Sequence, residues 1–247
     1  MAQVKTALIT GAAQRIGSET AAELHRAGFD IALHYRSSDA QAQVLARELN
    51  TARPDSCQLF SADLANLGDV QRLGGEIARH YRSLDLLVNN ASGFEPTPIQ
   101  SCSEAEFDAM LASNLKGPYF LIQSLLPVLQ RACGAIVNML DVHVEQPLPD
   151  FNAYCAAKAG LASLTRSLAV ELAPEIRVNG VAPGAILWPE DDAAYDADTR
   201  AKTLGSTPLQ RMGEPADIAR TVKFLACDAP FITGQVIAVD GGKGLVG

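Results

Sequence analysis

Two side chains near the middle of the chain have the residue types and the spacing of a proton-donating pair. Tyr154 and Lys158 lie four residues apart in "YCAAK", so they share one face if this segment is a helix. A free phenol has a pKa of about 10, and a lysine ammonium beside it is expected to lower the pKa of Tyr154 towards neutrality. The pair indicates general acid catalysis, although a Tyr-x-x-x-Lys spacing is by itself common by chance.

A carboxylate precedes this pair. Asp141 follows the apolar segment "GAIVNML" and stands thirteen positions before Tyr154. Beside the phenol, a carboxylate could orient it and pass protons towards a nitrogen atom whose neighbouring carbon accepts a hydride. This interpretation predicts an imine-type electrophile as substrate. The alternative is a strand-end aspartate that caps a turn.

A turn near the N-terminus has the pattern of a dinucleotide site. "ITGAAQRIG" follows the first apolar segment and precedes a helical pattern. Gly11 would permit a tight turn, Gly17 would allow close packing, and the free N–H groups at the start of the helix would hold pyrophosphate oxygens. A strand-to-helix turn without a ligand is the alternative.

The segment after the second apolar run concerns the choice of cofactor. In "LHYRSS", Arg36 offers a planar donor fork, and Ser37 and Ser38 offer hydroxyl groups, which together suit the 2′-phosphate of NADPH. A site for NAD would place an acidic residue here. We therefore expect NADPH, with a solvated loop charge at Arg36 as the alternative. Asp63 in "SADL" could contact the adenine amino group or cap a turn.

Strand-like segments alternate with helical ones along the chain. The strand-like segments are "VKTALIT", "FDIALHY", "CQLFSA", "LDLLVNNA", "GAIVNML", "IRVNGVAP" and "QVIAVDGG". The helical segments cover residues 16–27, 40–50, 66–82, two stretches up to 131, 154–172 and 215–226. Because parallel neighbours need crossover connections, we predict one doubly wound α/β domain over residues 1–247, with a seven-stranded parallel sheet and helices on both faces.

Three irregular segments are predicted to surround a ligand site. Residues 92–103, 142–151 and 185–207 each follow a predicted strand. In a doubly wound sheet, ligands bind beyond the carboxyl ends of the strands. We therefore expect these segments to line the site, and the one at 185–207 to form a mobile substrate lid.

The composition narrows the classes of function and location. The 247 residues are 48% hydrophobic, which allows a substantial core, and their formal net charge of −8 disfavours nucleic acid and anionic membranes as partners. The five cysteines show no C-x-x-C spacing and the N-terminus has no signal-peptide pattern, so we expect a cytoplasmic protein. The four histidines are too scattered to predict a metal site.

Five separated motifs make the chain resemble the short-chain dehydrogenase/reductase family over essentially its whole length. They are "TG" at 10–11, "NNA" at 89–91, Asn114, the Tyr154–Lys158 pair and "PG" at 183–184. The resemblance implies a Rossmann-type fold, a nicotinamide cofactor and a homotetramer. It also implies that Tyr154 is the acid, that Lys158 holds the nicotinamide ribose and that Asn114 supports a proton-relay water.

Two departures from the common family pattern resemble the pteridine reductases. Arg15 stands where the turn usually has its middle glycine, and Asp141 stands where the family usually has a serine; "NNASGFEPTP" also resembles that subgroup. The resemblance implies a pterin or folate substrate, with Phe94 stacked on its ring and Ser92 near its polar edge. Arg15 would meet cofactor phosphate or a pterin oxygen, and Trp188 would belong to the lid.

The expected cofactor contacts cover the turn, the strand ends and the catalytic pair. They are Gly11, Arg15, Ile16, Gly17, Tyr35, Arg36, Ser37, Ser38, Asp63, Leu64, Asn90, Ala91, Tyr154, Lys158, Pro183, Gly184 and Ile186. The expected function is NADPH-dependent reduction of a dihydropterin, with dihydrofolate or oxidised pterins as further substrates. The alternatives are a 3-oxoacyl or sugar-ketone reductase of the same family and a non-catalytic NADPH sensor.

Overall fold

The structure, a computed structural model, describes residues 4–187 and 197–246. The strands in these ranges are β1 (Thr6–Ile9), β2 (Asp30–Tyr35), β3 (Cys57–Ser61), β4 (Leu86–Asn89), β5 (Ala135–Met139), β6 (Arg177–Pro183) and β7 (Val236–Val239). They form one parallel sheet in the order β3-β2-β1-β4-β5-β6-β7. The predicted doubly wound α/β fold with seven parallel strands is confirmed.

Helices connect the strands and cover both faces of the sheet. They are α1 (Arg15–Arg26), α2 (Asp39–Ala52), α3 (Leu67–His80), α4 (Glu104–Leu111), α5 (Gly117–Ala132), α6 (Asn152–Glu171), α7 (Ala197–Gly205) and α8 (Pro215–Lys223). One π-helical turn, Ala112–Lys116, joins α4 to α5, and another, Phe224–Asp228, follows α8. None of the helices in the described ranges combines the length and the apolar composition that crossing a bilayer requires.

Each face of the sheet buries its own apolar cluster. Residues of β1 alternate between the two: Ala7 and Ile9 belong to one cluster and Leu8 belongs to the other. Helices α1, α2 and α8 cover the first cluster, and α3, α5 and α6 cover the second. Because both faces are covered, the central strands are continuous apolar runs.

Several of these helices begin at residues that cap or favour a helix N-terminus. Ser103 and Glu106 form a reciprocal capping box at the start of α4. The Asn66 side chain accepts a hydrogen bond from the N–H of Asp69 at the start of α3. Pro215 occupies the first turn of α8, where a missing N–H breaks no helical hydrogen bond. These contacts fix where the chain turns back after a strand end.

The clearest error of the sequence-based assignment lies in residues 185–207, which we predicted to be irregular. Helix α7 occupies Ala197–Gly205 within this segment. Its sequence "ADTRAKTLG" has one large apolar residue, Leu204, so it lacks the repeat of apolar positions that indicates a helix. Residues 188–196 of the predicted lid, among them Trp188, lie outside the described residues.

Candidate active site

The turn between β1 and α1 packs tightly at the carboxyl edge of the sheet. Gly11 has a φ of +62°, a left-handed conformation that favours glycine. A Cβ added to Gly11 would lie 3.0 Å from Cα of Ala91. A Cβ added to Gly17 would lie 2.7 Å from Nδ2 of Asn90 and would overlap the carbonyl oxygen of Gly11. The two glycines therefore leave space that side chains would fill.

Hydrogen bonds from the segment after β4 hold the same turn. Nδ2 of Asn90 donates to the carbonyl oxygens of Thr10 at 2.8 Å and Gly11 at 3.1 Å. The hydroxyl oxygen of Thr10 accepts from the N–H groups of Asn90 at 2.9 Å and Ala91 at 3.0 Å. The predicted cofactor residues Asn90 and Ala91 thus shape the turn themselves, while their contact with a cofactor stays a prediction.

Two arginines at this edge offer positive charge. Arg15 and Arg36 are both exposed, and within the described ranges neither guanidinium takes part in a hydrogen bond or an ion pair. Arg15 has a φ of +55°, a conformation that is unfavourable for a residue with a Cβ. Nε2 of Gln14 donates to Oγ of Ser38 at 2.7 Å, so the turn is tied to the segment that carries Arg36 and the exposed Ser37.

Other predicted contacts at this end take part in local structure. The hydroxyl of Tyr35 donates to Oδ1 of Asp39 at 2.7 Å. Oδ1 of Asp63 accepts from the N–H of Ala65 at 3.0 Å, so this carboxylate caps a turn, which was the alternative to an adenine contact. Leu64 beside it is buried. The adenine contacts of Asp63 and Leu64 stay predictions.

The shape and the charge of this edge can be compared with what the phosphate groups of a dinucleotide require. The first turn of α1 contains no acidic side chain, so its N–H groups offer positive potential to an anion. Ile16, which lies in this turn, is half-buried and packs against the apolar cluster below. The exposed side chains of Arg15 and Arg36 are the sequence neighbours of the Gln14–Ser38 contact, since Arg15 follows Gln14 and Arg36 stands two positions before Ser38. Shape and charge are thus both suitable for phosphate groups.

Three polar side chains meet at the end of β5 and the start of α6. Tyr154 is 4% exposed, and its hydroxyl donates to Oδ2 of Asp141 at 2.6 Å. Oδ1 of Asp141 accepts from the N–H of His143 at 2.9 Å. Nζ of Lys158, which is 2% exposed, donates to the carbonyl oxygen of Met139 at 2.9 Å and lies 5.6 Å from the centre of the Tyr154 ring. One oxygen of Asp141 therefore orients the phenol and the other caps a turn.

The expected lowering of the pKa of Tyr154 by Lys158 is wrong. The pKa of Tyr154 lies above its usual value, first because the phenol is buried and then because the charge of Asp141 opposes ionisation; the Ser92 hydroxyl acts in the opposite direction. Burial lowers the pKa of Lys158 to about 8, and the charge of Asp141 opposes that change. The spacing of Tyr154 and Lys158 indicated their shared face but not their burial. Tyr154 is held in its protonated form at neutral pH.

Asn114 lies in the π-helical turn between α4 and α5 and is 1% exposed. Its Oδ1 accepts from the hydroxyl of Ser92 at 2.7 Å. Its Nδ2 lies 3.1 Å from the carbonyl oxygen of Gly93 and 3.0 Å from that of Met110. The side chain thus fixes the loop that carries Ser92, while the expected water relay at Asn114 stays a prediction.

The exposed ring of Phe94 belongs to an aromatic group that the sequence did not indicate. Phe94 stacks on Phe151 with ring centres 4.3 Å apart and meets Tyr154 edge to face at 4.9 Å. The N–H of Ala153 donates to Oγ1 of Thr97 at 3.1 Å, which joins the loop of Phe94 to the start of α6. A single phenylalanine before a helix gives no sequence signal for such a contact.

The end of β6 completes the edge. The N–H of Gly184 donates to the carbonyl oxygen of Val239 at 3.1 Å, and a Cβ on Gly184 would lie 2.6 Å from that of Asp240. Pro183 and Ile186 on either side are buried. The predicted cofactor residues of this segment therefore lie where β6 meets β7, and their contact with a cofactor stays a prediction.

His34 is a site residue that the sequence analysis missed. It lies in β2 and accepts a hydrogen bond from the N–H of Gly11 through Nδ1 at 3.1 Å. The available signal was a single histidine that follows the apolar run "IAL" in β2. The scattering of the histidines argues against a metal site, but it does not indicate a hydrogen-bond partner 23 positions away.

One family model and two of the relatives that resemble this chain are named as reductases. Residues 11–243 match the family model described as enoyl-(acyl carrier protein) reductase. A 3-oxoacyl-[acyl-carrier-protein] reductase of Staphylococcus aureus is 38% identical over 245 residues, which cover 98% of this chain and 99% of the relative. Pteridine reductase 1 of Leishmania tarentolae is 36% identical over 282 residues, covering 97% and 96%. Overall identity therefore favours the 3-oxoacyl reductase alternative over the pteridine reductase interpretation.

Proposed function

Because the chain belongs to the short-chain dehydrogenase/reductase family and is therefore an oxidoreductase, we propose that it reduces a pterin ring with NADPH as the hydride donor. One observation carries the choice of substrate: the hydroxyl of Tyr154 donates to Asp141 at 2.6 Å. A carboxylate thus contacts the proposed proton donor at the position where the family usually has a serine.

A carboxylate suits a ring nitrogen better than a ketone oxygen. Reduction of a ketone develops negative charge on oxygen, which hydrogen-bond donors stabilise. The ionised Asp141 can only accept hydrogen bonds, so it would repel that oxygen. A pterin instead presents N–H groups, and the nitrogen next to the reduced carbon needs a proton. Asp141 can accept from the former and orient the proton donor for the latter.

The side chains around Tyr154 divide the work of proton transfer. Bound NADPH would supply the hydride from its nicotinamide. Tyr154 carries its proton at neutral pH, since burial and Asp141 raise its pKa, and its hydroxyl is the proposed donor. Asp141 positions the phenol oxygen, because the N–H of His143 holds the other carboxylate oxygen. For transfer, the Tyr154 proton would turn from Asp141 to the ring nitrogen and leave the phenolate behind. Lys158, 5.6 Å from the ring centre, offsets the negative charge that proton loss would leave on Tyr154.

The aromatic group supports a flat heterocycle as substrate. Phe151 supports one face of Phe94, while 43% of Phe94 remains exposed. Stacking on an aromatic ring of fixed orientation favours a planar ligand. Ser92 and Arg15 would then meet the polar edges of the pterin or the cofactor phosphates, and Trp188 stays a predicted part of the lid.

A 3-oxoacyl reductase is the second candidate, because overall identity favours it. In that case Asp141 would have to be protonated, so that it could donate to the carbonyl oxygen. A non-catalytic NADPH sensor has less support, since binding alone needs no buried Tyr154–Lys158 pair. The homotetramer and the cytoplasmic location implied by the sequence stay predictions.

The deciding experiment measures NADPH oxidation with a dihydropterin, dihydrofolate and a 3-oxoacyl thioester, in the unmutated protein and in Asp141→Asn and Asp141→Ser. We expect activity with the dihydropterin. Both variants should lower kcat/KM for it by about 10² or more, the scale of a proton-transfer contribution, with nearly unchanged Kd for NADPH. Asn is the sharper variant, since it keeps the shape of Asp141 and removes its charge.

The same experiment can reject the proposal. Turnover of the 3-oxoacyl thioester alone, increased in Asp141→Ser, would establish the second candidate. Full dihydropterin activity in Asp141→Asn would limit Asp141 to capping the turn at His143.

A further inference from the structure

The imidazole of His34 bridges three strand ends. His34 is 1% exposed within β2. Its Nδ1 lies 3.1 Å from the main-chain nitrogen of Gly11, and its Nε2 lies 3.1 Å from the carbonyl oxygen of Ala62. Gly11 begins the turn after β1, and Ala62 follows β3. The side chain therefore connects the turn after β1 to the end of β3, on the other side of β2.

The two partners determine where the ring carries its proton. A main-chain N–H can only donate, so Nδ1 is the unprotonated, accepting nitrogen. A carbonyl oxygen can only accept, so Nε2 carries the proton. A second proton on Nδ1 would set two N–H groups against each other. Burial lowers the pKa of His34 to about 4, in agreement with one neutral tautomer at physiological pH.

The main chain of His34 holds the next residue of the turn. Its carbonyl oxygen accepts from the N–H of Ala12 at 2.9 Å. Two successive N–H groups, those of Gly11 and Ala12, thus depend on one residue of β2. Gly11 is also the residue with a φ of +62°, so the hydrogen bond from its N–H is made at the point where the chain reverses.

We propose that His34 is a positioning residue for the cofactor: its neutral imidazole holds the Gly11 turn in the shape that receives dinucleotide phosphates. The inference rests on the NADPH part of the proposed function and is independent of the pterin part. A turn that is already ordered loses less conformational freedom when a ligand binds, so this hydrogen bond contributes to affinity. An apolar side chain would fill the same space in β2 without accepting from Gly11.

The test uses two amides that each reproduce one half of the imidazole. In His34→Asn, the side-chain oxygen can take the place of Nδ1 and accept from Gly11. In His34→Gln, the longer amide can donate to Ala62 but offers no acceptor at the place of Nδ1. We expect both variants to bind more weakly than the unmutated protein, and His34→Gln about tenfold more weakly than His34→Asn, the scale of one buried hydrogen bond.

The ligand for this test is 2′-phospho-ADP-ribose, with Kd measured by calorimetry. It lacks the nicotinamide, so the result depends neither on hydride transfer nor on the identity of the substrate. His25→Asn is the matched control, because His25 is also buried and its Nε2 bonds to Oγ of Ser56 at 2.7 Å, away from the turn. The control should lower Tm and leave Kd unchanged.

The outcomes distinguish a failure of the role of His34 from a failure of the cofactor assignment. Equal Kd values for His34→Asn and His34→Gln, with normal binding by the unmutated protein, would overturn the role of His34 alone. No binding by the unmutated protein would overturn the cofactor assignment as well. If a variant does not fold, ¹⁵N NMR of the unmutated protein decides: an unprotonated Nδ1 that responds to the ligand supports the role, and a protonated or unresponsive Nδ1 overturns it.

Discussion

The turn after β1 and the cluster around Tyr154 lie at the same edge of the sheet, yet different forces hold them. Neutral hydrogen bonds hold the turn, as between the N–H of Gly11 and His34. Charged groups hold the cluster: the hydroxyl of Tyr154 donates to Asp141, and the ammonium of Lys158 is buried nearby. The two regions are neighbours in space but differ in what a change of charge would do to them.

This difference corresponds to two tasks. Neutral hydrogen bonds keep one shape across the neutral pH range, which suits the binding of a large cofactor. Buried charges shift the pKa values of neighbouring groups, which suits a site that transfers a proton. Substitutions at the turn should therefore change affinity, and substitutions in the cluster should change turnover.

The largest difference between the effect on turnover and the effect on cofactor affinity is expected from Tyr154→Phe. The substitution removes the proposed proton donor and keeps the ring that meets Phe94. Turnover should fall by about 10² to 10⁴, the usual scale of general acid catalysis, while the Kd of NADPH stays nearly unchanged. Single-turnover rates with bound NADPH measure the chemical step directly. Unchanged turnover would assign proton donation to another group, and a large loss of NADPH affinity would mean that the two regions are not separable.

The free energy of unfolding should depend on pH through His34, which holds the turn. The pKa of His34 is about 4 in the folded protein against 6.5 for the free side chain. Between these values the unfolded chain binds more protons, so the contribution is fully present above pH 6.5 and is lost as pH falls towards 4. The difference of 2.5 units (6.5 − 4) corresponds to roughly 3 kcal/mol. Asp63 and Arg72 are the charged groups that act on His34, in opposite directions.

Urea unfolding between pH 4.5 and 8 measures this effect, with His34→Asn as the control. In a plot of the free energy of unfolding against pH, the variant should lack the part of the slope that His34 causes. Its remaining slope should include His25, since burial also lowers the pKa of that side chain. An identical slope in the variant and the unmutated protein would show that His34 does not stay neutral in the fold.

We expect the choice between cofactors to depend on Arg36, which directly follows β2. Arg36→Leu should weaken NADPH by about tenfold to a hundredfold, the range for a hydrogen bond with a charged group, and should change NADH little. Arg47→Leu is the control, because Arg47 is also exposed and carries the same charge in α2. Equal affinity of the unmutated protein for NADPH and NADH would remove the assignment, and equal losses in both variants would indicate general electrostatics.

The sequence predicted the sheet well because each strand is an apolar run bounded by a turn signal. Such a pattern involves only residues that are close together in the sequence. It also predicted that segments following the strands line one site, since the carboxyl ends of parallel strands meet at one edge of the sheet. It did not predict that the pKa of Tyr154 would rise, because burial is set by the whole fold. His34 was missed for the same reason: its partner Gly11 is 23 positions away.

The smallest expected effect concerns backbone strain at Arg15, whose φ of +55° is left-handed. Arg15→Gly and Arg15→Ala both remove the guanidinium and differ by a single Cβ. Glycine relieves the strain but gains freedom in the unfolded chain, so we expect the glycine variant to be more stable than the alanine variant by about 1 kcal/mol. Urea unfolding measures this difference, and the Kd of NADPH should be raised alike in both variants. Equal stability would mean that the turn bears a Cβ here without cost. A loss of affinity in the glycine variant alone would mean that the left-handed backbone held by a Cβ, rather than the charge of Arg15, decides how the turn receives its ligand.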